Sequence, residues 1–217
     1  MAAKKSAKKS ASSPSTSKAS GPVLDGVLAA ALDEAAAVGW GRVSLEAVAE
    51  KAGVALGTLL LDTPTKAHLA TRYLKWLDAR TVGPVKRIDA NDTPRDRLFE
   101  IVMRRFDAMN ENRDGTRALV KGVPRDPATV LMSLCTLERS FRAMLEAAGI
   151  STGGLVGLVR VQGFKAVLAC TLNAWVKDDS ADMAKTMAAL DKALNRAESL
   201  SRMRRRKKDA GDATAEA

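Results

Sequence analysis

The chain has 217 residues, of which 46% are hydrophobic and only 4% aromatic, and its formal net charge at pH 7 is +10. This length accommodates one full domain or a small domain joined to a medium one, with enough hydrophobic residues for a real core. Two cysteines are too few for a disulfide-rich scaffold, and no uncharged run of about 20 residues is present that would cross a membrane.

The positive charge is concentrated at the two ends. Residues 1–21 contain no acid and five lysines, namely Lys4, Lys5, Lys8, Lys9 and Lys18. A second basic run covers 202–208, whereas residues 22–201 carry only +2. We expect 1–21 to be a disordered basic arm and 204–217 a charged tail. Such ends favour a polyanion, either DNA or an anionic membrane surface, although solubilising tails without a specific partner have the same composition.

Capping residues and helix breakers predict four helices in the first part of the chain, with approximate bounds 22–38, 45–52, 55–61 and 66–80. Ser44 has the position of an N-cap for the second helix, and Gly53 that of its stop. Pro64 ends the third helix, and Thr65 caps the fourth.

The remainder predicts five further helices, with approximate bounds 94–110, 113–121, 127–148, 154–176 and 181–203. The long helix from Pro127 has an apolar stripe that includes Leu134 and Phe141. The segment 154–176 is apolar on nearly all sides, so we expect a central helix buried on both faces. Ser180 is expected to cap the last helix. The whole pattern predicts an all-α fold of about nine helices.

The two cysteines, Cys135 and Cys170, lie in apolar helical stretches without neighbouring metal-ligand residues. We expect both to be buried, reduced thiols of an intracellular protein. The lysine-rich N-terminus is not followed by the apolar stretch of a secretory signal, so a cytoplasmic location is expected.

One stretch carries a recognisable motif: "GVALGTLLLDTPTK", residues 53–66. Gly53-Val54 at a turn, Gly57-Thr58-Leu59 in the next helix and Thr65-Lys66 at the start of the following one resemble the DNA-binding domain of TetR-family transcriptional regulators. The resemblance implies a helix-turn-helix domain over 22–69 and a helical ligand-binding and dimerisation domain over 70–203. An unrelated helical hairpin with a chance match is the alternative.

The resemblance implies double-stranded DNA as a partner. The residues expected at the DNA are Arg42, Ser44, Ala55, Leu56, Gly57, Thr58, Leu60, Leu61 and Lys66, together with the five arm lysines. The chain departs from the family pattern at Leu60, Asp62 and Thr63, where Tyr, then His or Tyr, then Phe are usual. Residues 22–80 contain six Lys or Arg against seven Asp or Glu, so the domain offers little counterion release from DNA. Weak, mostly apolar sequence reading is therefore expected, with the arm as the main source of affinity.

The resemblance also implies a homodimer controlled by an apolar small molecule, and no cofactor or metal is expected. The ligand pocket is expected at Met103, Phe106, Leu134, Phe141, Phe164 and Leu168. The last helix has apolar residues at steps of four and three, a pattern suited to helix pairing, so dimer contacts are expected at Met183, Met187, Leu190 and Leu194. We call these four residues the dimer seam. The helix over 154–176 is expected to contribute to the dimer as well.

A second resemblance leaves another function open. Residues 171–194, with Trp175 and the acidic pair Asp178-Asp179, resemble the C-terminal region of TetR-fold lipid-binding proteins of ubiquinone biosynthesis. It implies an isoprenoid or lipid ligand and action at a membrane surface. An enzyme is not expected, because His68 is the single histidine and the sequence has no phosphate-binding glycine loop, nucleophile elbow or metal-ligand spacing.

Overall fold

The computed structural model describes residues 25–82 and 92–215, with side chains through residue 201. Over these ranges all regular structure is helical. The helices are α1 Gly26–Val38, α2 Leu45–Ala52, α3 Leu56–Asp62, α4 Lys66–Val82, α5 Pro94–Asn110, α6 Arg113–Gly122, α7 Pro127–Ala147, α8 Gly154–Val176 and α9 Ala184–Ala215, with short 3-10 turns at Trp40–Arg42 and Val123–Arg125. The predicted all-α fold of about nine helices is confirmed. The predicted disorder of residues 1–21 lies outside the described residues.

Local capping chemistry sets most of the predicted helix starts. At the start of α5, Thr93 Oγ1 accepts a hydrogen bond from the Asp96 N–H at 3.2 Å. At the start of α7, Asp126 Oδ1 accepts from the Thr129 N–H at 3.1 Å. The first helix begins later than predicted, at Gly26, with Asp25 as its N-cap: Asp25 Oδ1 accepts from the Leu28 N–H at 2.9 Å.

The last helix, α9, also begins later than predicted, because a polar turn precedes it. The buried carboxylate of Asp178 accepts from the N–H and hydroxyl of Thr186 at 2.8 and 2.7 Å and from the Ser180 N–H at 3.1 Å. Ser180 Oγ in turn accepts from the Ala184 N–H at 3.1 Å. Burial raises the pKa of Asp178, but the hydrogen bonds from Ser180 and Thr186 outweigh it and hold that pKa well below its usual range.

The N-terminal helices are joined closely to the rest of the molecule through α6, which packs on α1. Two glycines make this possible: a Cβ at Gly115 would overlap the Leu32 carbonyl, and one at Gly122 would overlap the Trp40 side chain. Tyr73 of α4 shares a buried hydrogen bond of 2.8 Å with Thr116 of α6, and burial raises the pKa of Tyr73 to about 12. The N-terminal helices α1 to α4, which we call the head, and the bundle of α5 to α9 therefore form one continuous packed structure.

The buried face of α7 differs from the predicted apolar stripe. Leu134 is 53% exposed, whereas the buried positions of the helix before Met144 are the hydroxyl residues Thr129, Ser133, Thr136 and Ser140. These small side chains suit close packing, and α4 is the main neighbour of α7. The Asp78 carboxylate of α4 accepts from the Ser140 hydroxyl and from Arg105 Nη1, the latter at 2.8 Å. The prediction holds only at the C-terminal end of the helix, where Met144 and Leu145 are buried.

The prediction that α8 is buried on both faces is wrong. One face packs on α9 and the core through residues such as Val161, Phe164 and Trp175, but Leu155 is 84% exposed on another face. The expectation of buried thiols is wrong as well, since Cys135 and Cys170 are both exposed.

Candidate nucleic-acid interface

The turn between α2 and α3 has the backbone geometry that the sequence predicts. Ser44 caps α2 by accepting from the Ala47 N–H at 3.1 Å. Gly53 follows α2 in the left-handed conformation (φ 67°, ψ 28°), which costs a residue with a Cβ more than glycine. The N–H groups of Gly53 and Val54 return to the Glu50 and Ala49 carbonyls at 3.1 and 3.0 Å. This sharp turn sets α3 across the end of α2, as in a helix-turn-helix.

Helix α3 presents a short apolar outer face. Leu59 is buried and anchors the inner side, so at 100° per residue Gly57 and Leu61 lie opposite it, flanked by Thr58 and Leu60. We call these four residues the α3 outer face. Leu61 is 83% exposed and Leu60 40%. Leu56 is partly exposed, and Ala55 leaves the helix start without a side-chain cap. The outer face carries one hydroxyl and no charge.

Two of the other predicted DNA contacts are partly occupied within the protein. Arg42 is exposed and donates from Nε to the Val38 carbonyl at 2.7 Å. Ser44 is exposed as well, but its hydroxyl oxygen serves as the α2 cap. Both residues lie just before the start of α2, and each keeps further donor capacity for a partner. The arm residues Lys4, Lys5, Lys8, Lys9 and Lys18 lie outside the described residues.

The structure contradicts the predicted DNA contact of Lys66. Its ammonium donates to the carbonyls of Trp40 and Gly41 at 3.3 and 3.2 Å and pairs with the Asp126 carboxylate at 3.3 Å. It also lies 5.7 Å from the centroid of the Trp40 ring. Lys66 therefore joins the 3-10 turn after α1 to the start of α7, and its three donors are already used.

Most positive charge of the N-terminal helices is neutralised by neighbouring acids. Lys51 pairs with Glu34 at 2.9 Å, Arg72 with Asp25 at 3.0 Å, and Arg80 with Glu111. Together with the Lys66 pair, these contacts involve four of the six cations in residues 22–80. The domain thus presents a weaker positive field than its lysine and arginine count implies.

The predicted ligand pocket is not brought together as a cavity. Leu134 points to solvent, while Phe106, Phe164 and Leu168 are buried in the core, Met103 and Phe141 pack against it, and Phe141 meets Phe164 edge-on at 6.1 Å. An open groove of about 1610 Å³ lies elsewhere, between α8, α9, the start of α5 and the segment after α7. Phe164 is the one predicted pocket residue among those that line it.

The groove combines apolar walls with basic side chains. Its apolar lining includes Leu98, Leu145, Val159, Phe164 and Ala193. Its charged lining is Arg95, Arg160, Lys192 and Arg196 against the acids Asp96 and Glu198, and Arg160 Nη1 donates to the Ser151 carbonyl at 2.9 Å. This composition suits a molecule with an apolar body and a negative group.

The predicted dimer seam is wrong for most of its residues. Leu190, Leu194 and Met183 are buried inside the protomer, and Met187 is half-buried. The four-three periodicity therefore reflects the packing of α9 on α8 and α5 within one chain. Besides Leu200 of α9 and Leu131, Met132 and Leu134 of α7, the exposed apolar residues include a group of four on α8: Leu155, Val156, Leu158 and Val159. The two charged residues of α8 do not interrupt this face, because Arg160 bonds Ser151 and Lys165 pairs with Glu138 at 2.5 Å.

The chain matches no family model and no curated protein. It does match solved structures. A TetR transcriptional regulator from Nitrosomonas europaea matches with a TM-score of 0.66 at 19% identity, over 80% of this chain and 96% of that one. A TetR regulator from Rhodococcus sp. RHA1 matches at 0.54 and 22% identity, over 78% and 93%. The transcriptional regulator FadR from Bacillus subtilis, solved in complex with stearoyl-CoA, matches at 0.51 and 17% identity, over 79% and 96%.

The chain has the TetR-regulator fold. Three residues depart from the family pattern, and the structure places all three in α3 or directly after it. Leu60 lies on the outer face, and Asp62 is exposed at the end of the helix. Thr63 is 1% exposed, and its hydroxyl oxygen has no hydrogen-bond partner among the described residues. A small polar residue thus fills the site where the family pattern places a phenylalanine.

Sequence reasoning missed the groove and the exposed face of α8 in this TetR fold. For α8 the sequence did contain an indication of the exposed face. A helix that is apolar on nearly all sides, with only two charged residues, must be covered on every side, either by its own protomer or by a partner.

The single histidine, His68, lies at the start of α4, where its Nδ1 shares a hydrogen bond of 2.8 Å with Thr65 Oγ1. Among the described residues no group of three or more His, Cys, Asp or Glu side chains is placed to hold a metal ion.

Proposed function

We propose that the protein is a TetR-family transcriptional regulator that binds double-stranded DNA as a homodimer in the cytoplasm. The observation that carries the proposal is the α2–Gly53–α3 turn, which leaves the outer face of α3 uncovered while Leu59 anchors its inner side. A helix presented in this way fits the major groove, with residues of its exposed side at the base edges.

Affinity for the phosphate backbone comes mainly from the arm, residues 1–21. This segment contains five lysines and no acidic residue, whereas four of the six cations in residues 22–80 are in ion pairs. An arm just ahead of α1 follows the backbone or enters the minor groove and adds affinity without sequence preference.

The two protomers meet through the uncovered face of α8, which includes Leu155 and Val159 in the first two turns of the helix. This face is apolar and free of unpaired charge, which is typical of the core of a homodimer interface. The second copy also covers part of the groove between α8 and α9, because Val159 lines both.

The effector is an apolar molecule with an anionic group that occupies this groove. Apolar walls favour its body, and Arg160, Lys192 and Arg196 favour its negative end. The matching FadR structure holds stearoyl-CoA, which has an acyl chain and phosphates, so a ligand of this chemistry is compatible with the fold. Its binding changes the distance between the two DNA-binding heads.

A lipid-binding protein that acts at a membrane surface is the second candidate. The exposed apolar residues of α8 favour it, and α8 alone among the described helices is long and apolar enough to cross a membrane by length and composition. Only 33% of its most apolar stretch is buried in the protein, so most of that stretch is open to a partner protein or to lipid. Trp175 and Asp178, which carry the likeness to the ubiquinone-biosynthesis proteins, are both buried and hold the junction of α8 and α9.

The test is a competition between DNA and lipid. Full-length protein is used to enrich duplexes from a randomised library, and its binding to the enriched duplex is compared with binding to anionic vesicles. We expect an enriched sequence, lost in Leu61→Glu and kept in Leu131→Glu, a matched control because Leu131 is exposed on α7. Vesicle binding without any enriched sequence would support the lipid-binding candidate instead.

A further inference from the structure

The α3 outer face has an unusual chemistry for a base-reading surface. Its most prominent side chain is Leu61, with Leu60 beside it, and its single polar group is the Thr58 hydroxyl. No residue from Leu56 to Leu61 is an arginine, lysine, asparagine or glutamine, the side chains that make bidentate contacts to guanine or adenine. The face therefore cannot recognise purines by paired hydrogen bonds.

One feature of the major groove matches this face. Thymine carries a 5-methyl group there, and apolar side chains contact that methyl. Gly57 lies one turn before Leu61 on the same ridge, and nothing lies within 4 Å of the position its Cβ would have. The absence of a side chain at Gly57 brings the helix backbone close to the bases and lets Leu61 reach the groove floor.

We propose, resting on the DNA-binding function above, that Leu61 and Leu60 read operator sequence by packing against thymine methyl groups. A membrane is the less suitable partner for this face. Helices that lie in a lipid interface have lysines or arginines along their polar side, whereas α3 has seven residues, no cation and an exposed Asp62 at its end.

The experiment replaces single thymines by uracil in a duplex enriched by the full-length protein, which removes one methyl and changes no hydrogen bond. At two or more adjacent positions we expect affinity to fall about fourfold for each methyl that is lost. Replacing such a T·A pair by C·G lowers affinity, and 5-methylcytosine at the same place restores part of it. In Leu61→Ala the uracil effect disappears at the positions that Leu61 contacts, in Leu60→Ala it disappears at those that Leu60 contacts, and in the control Leu131→Ala it persists at all of them.

The outcomes separate the two proposals. An enriched sequence whose affinity is insensitive to uracil everywhere overturns methyl reading and leaves the regulator function intact. No enriched sequence overturns both. Vesicle binding that depends on Leu61, without sequence preference for DNA, assigns the α3 outer face to lipid and likewise overturns the inference.

Discussion

At the scale of single residues, Asp178 shows how one buried carboxylate organises the junction of α8 and α9. It accepts hydrogen bonds from Ser180 and Thr186. We expect Asp178→Asn to lower the free energy of unfolding by roughly 2 kcal/mol at pH 7, because the amide replaces one charged acceptor by a donor without a partner. Denaturant unfolding measures this change. Asp179→Asn, at a side chain that is 84% exposed, is the control and should have little effect.

The same carboxylate makes a prediction about pH. Its pKa in the folded protein lies below the value of about 3.9 in an unfolded chain. Its stabilisation is therefore fully present above the unfolded value and is lost as the pH falls through the folded one. The difference in stability between wild type and Asp178→Asn should shrink as the pH falls from about 5 to about 3. A difference that is constant over this range would contradict the assigned role.

Under the proposed function, Asp62 is the residue of α3 that we expect to oppose DNA binding. It is exposed at the end of the helix and has no ion-pair partner among the described residues, so in the complex it adds a negative charge near phosphates. At contact distance in water such a charge costs about 1 kcal/mol. We therefore expect Asp62→His to tighten binding to the enriched duplex about fivefold, as measured by fluorescence anisotropy. Weaker binding in this variant would mean that Asp62 makes a favourable contact.

At the scale of elements, the structure separates two apolar surfaces that look alike in sequence. Leu190 of α9 is 0% exposed and belongs to the protomer core, whereas Leu155 and Val159 of α8 are exposed. We expect Leu155→Glu with Val159→Glu to give a folded monomer by light scattering and circular dichroism. Leu131→Glu should remain a dimer, and Leu190→Glu should unfold because it buries a charge. A stable dimer in the double variant would place the interface elsewhere.

Element boundaries were largely predictable because their causes are local. Ser44, Gly53 and Asp126-Pro127 act on backbone groups within four residues, and the helices begin or end where these residues predict. The partners of each surface were not predictable. Lys66 is held by Asp126, 60 positions away in the chain, and no local pattern indicates that pair.

Periodicity has the same limit in α8 and α9. It identifies apolar faces but does not say which face the protomer itself covers. The apolar periodicity of Leu190 and Leu194 on α9 therefore looked like that of a dimer interface, although both residues are buried within the protomer. The apolar sequence of α8 likewise looked like that of a central helix, although one of its faces is exposed. The fold could be inferred from the sequence, whereas the pocket and the dimer residues could not.

At the scale of the whole molecule, charge is divided between the arm and the folded head. Removal of residues 2–21 deletes five lysines and leaves a head of net charge −1 over 22–80. We expect affinity to fall equally for enriched and shuffled duplexes, and the slope of log K against log salt to flatten by up to about 9, because the proposed dimer loses ten lysines. An unchanged slope would show that the head itself binds the phosphates.

The central claim is that the head reads DNA sequence, and one ratio tests it directly. The affinity of the full-length protein for its enriched duplex is divided by that for a shuffled duplex at a single salt concentration. We predict a ratio near the lower end of specific regulators, about 10³, that falls close to one in Leu61→Glu. A ratio close to one in the wild type would contradict the claim.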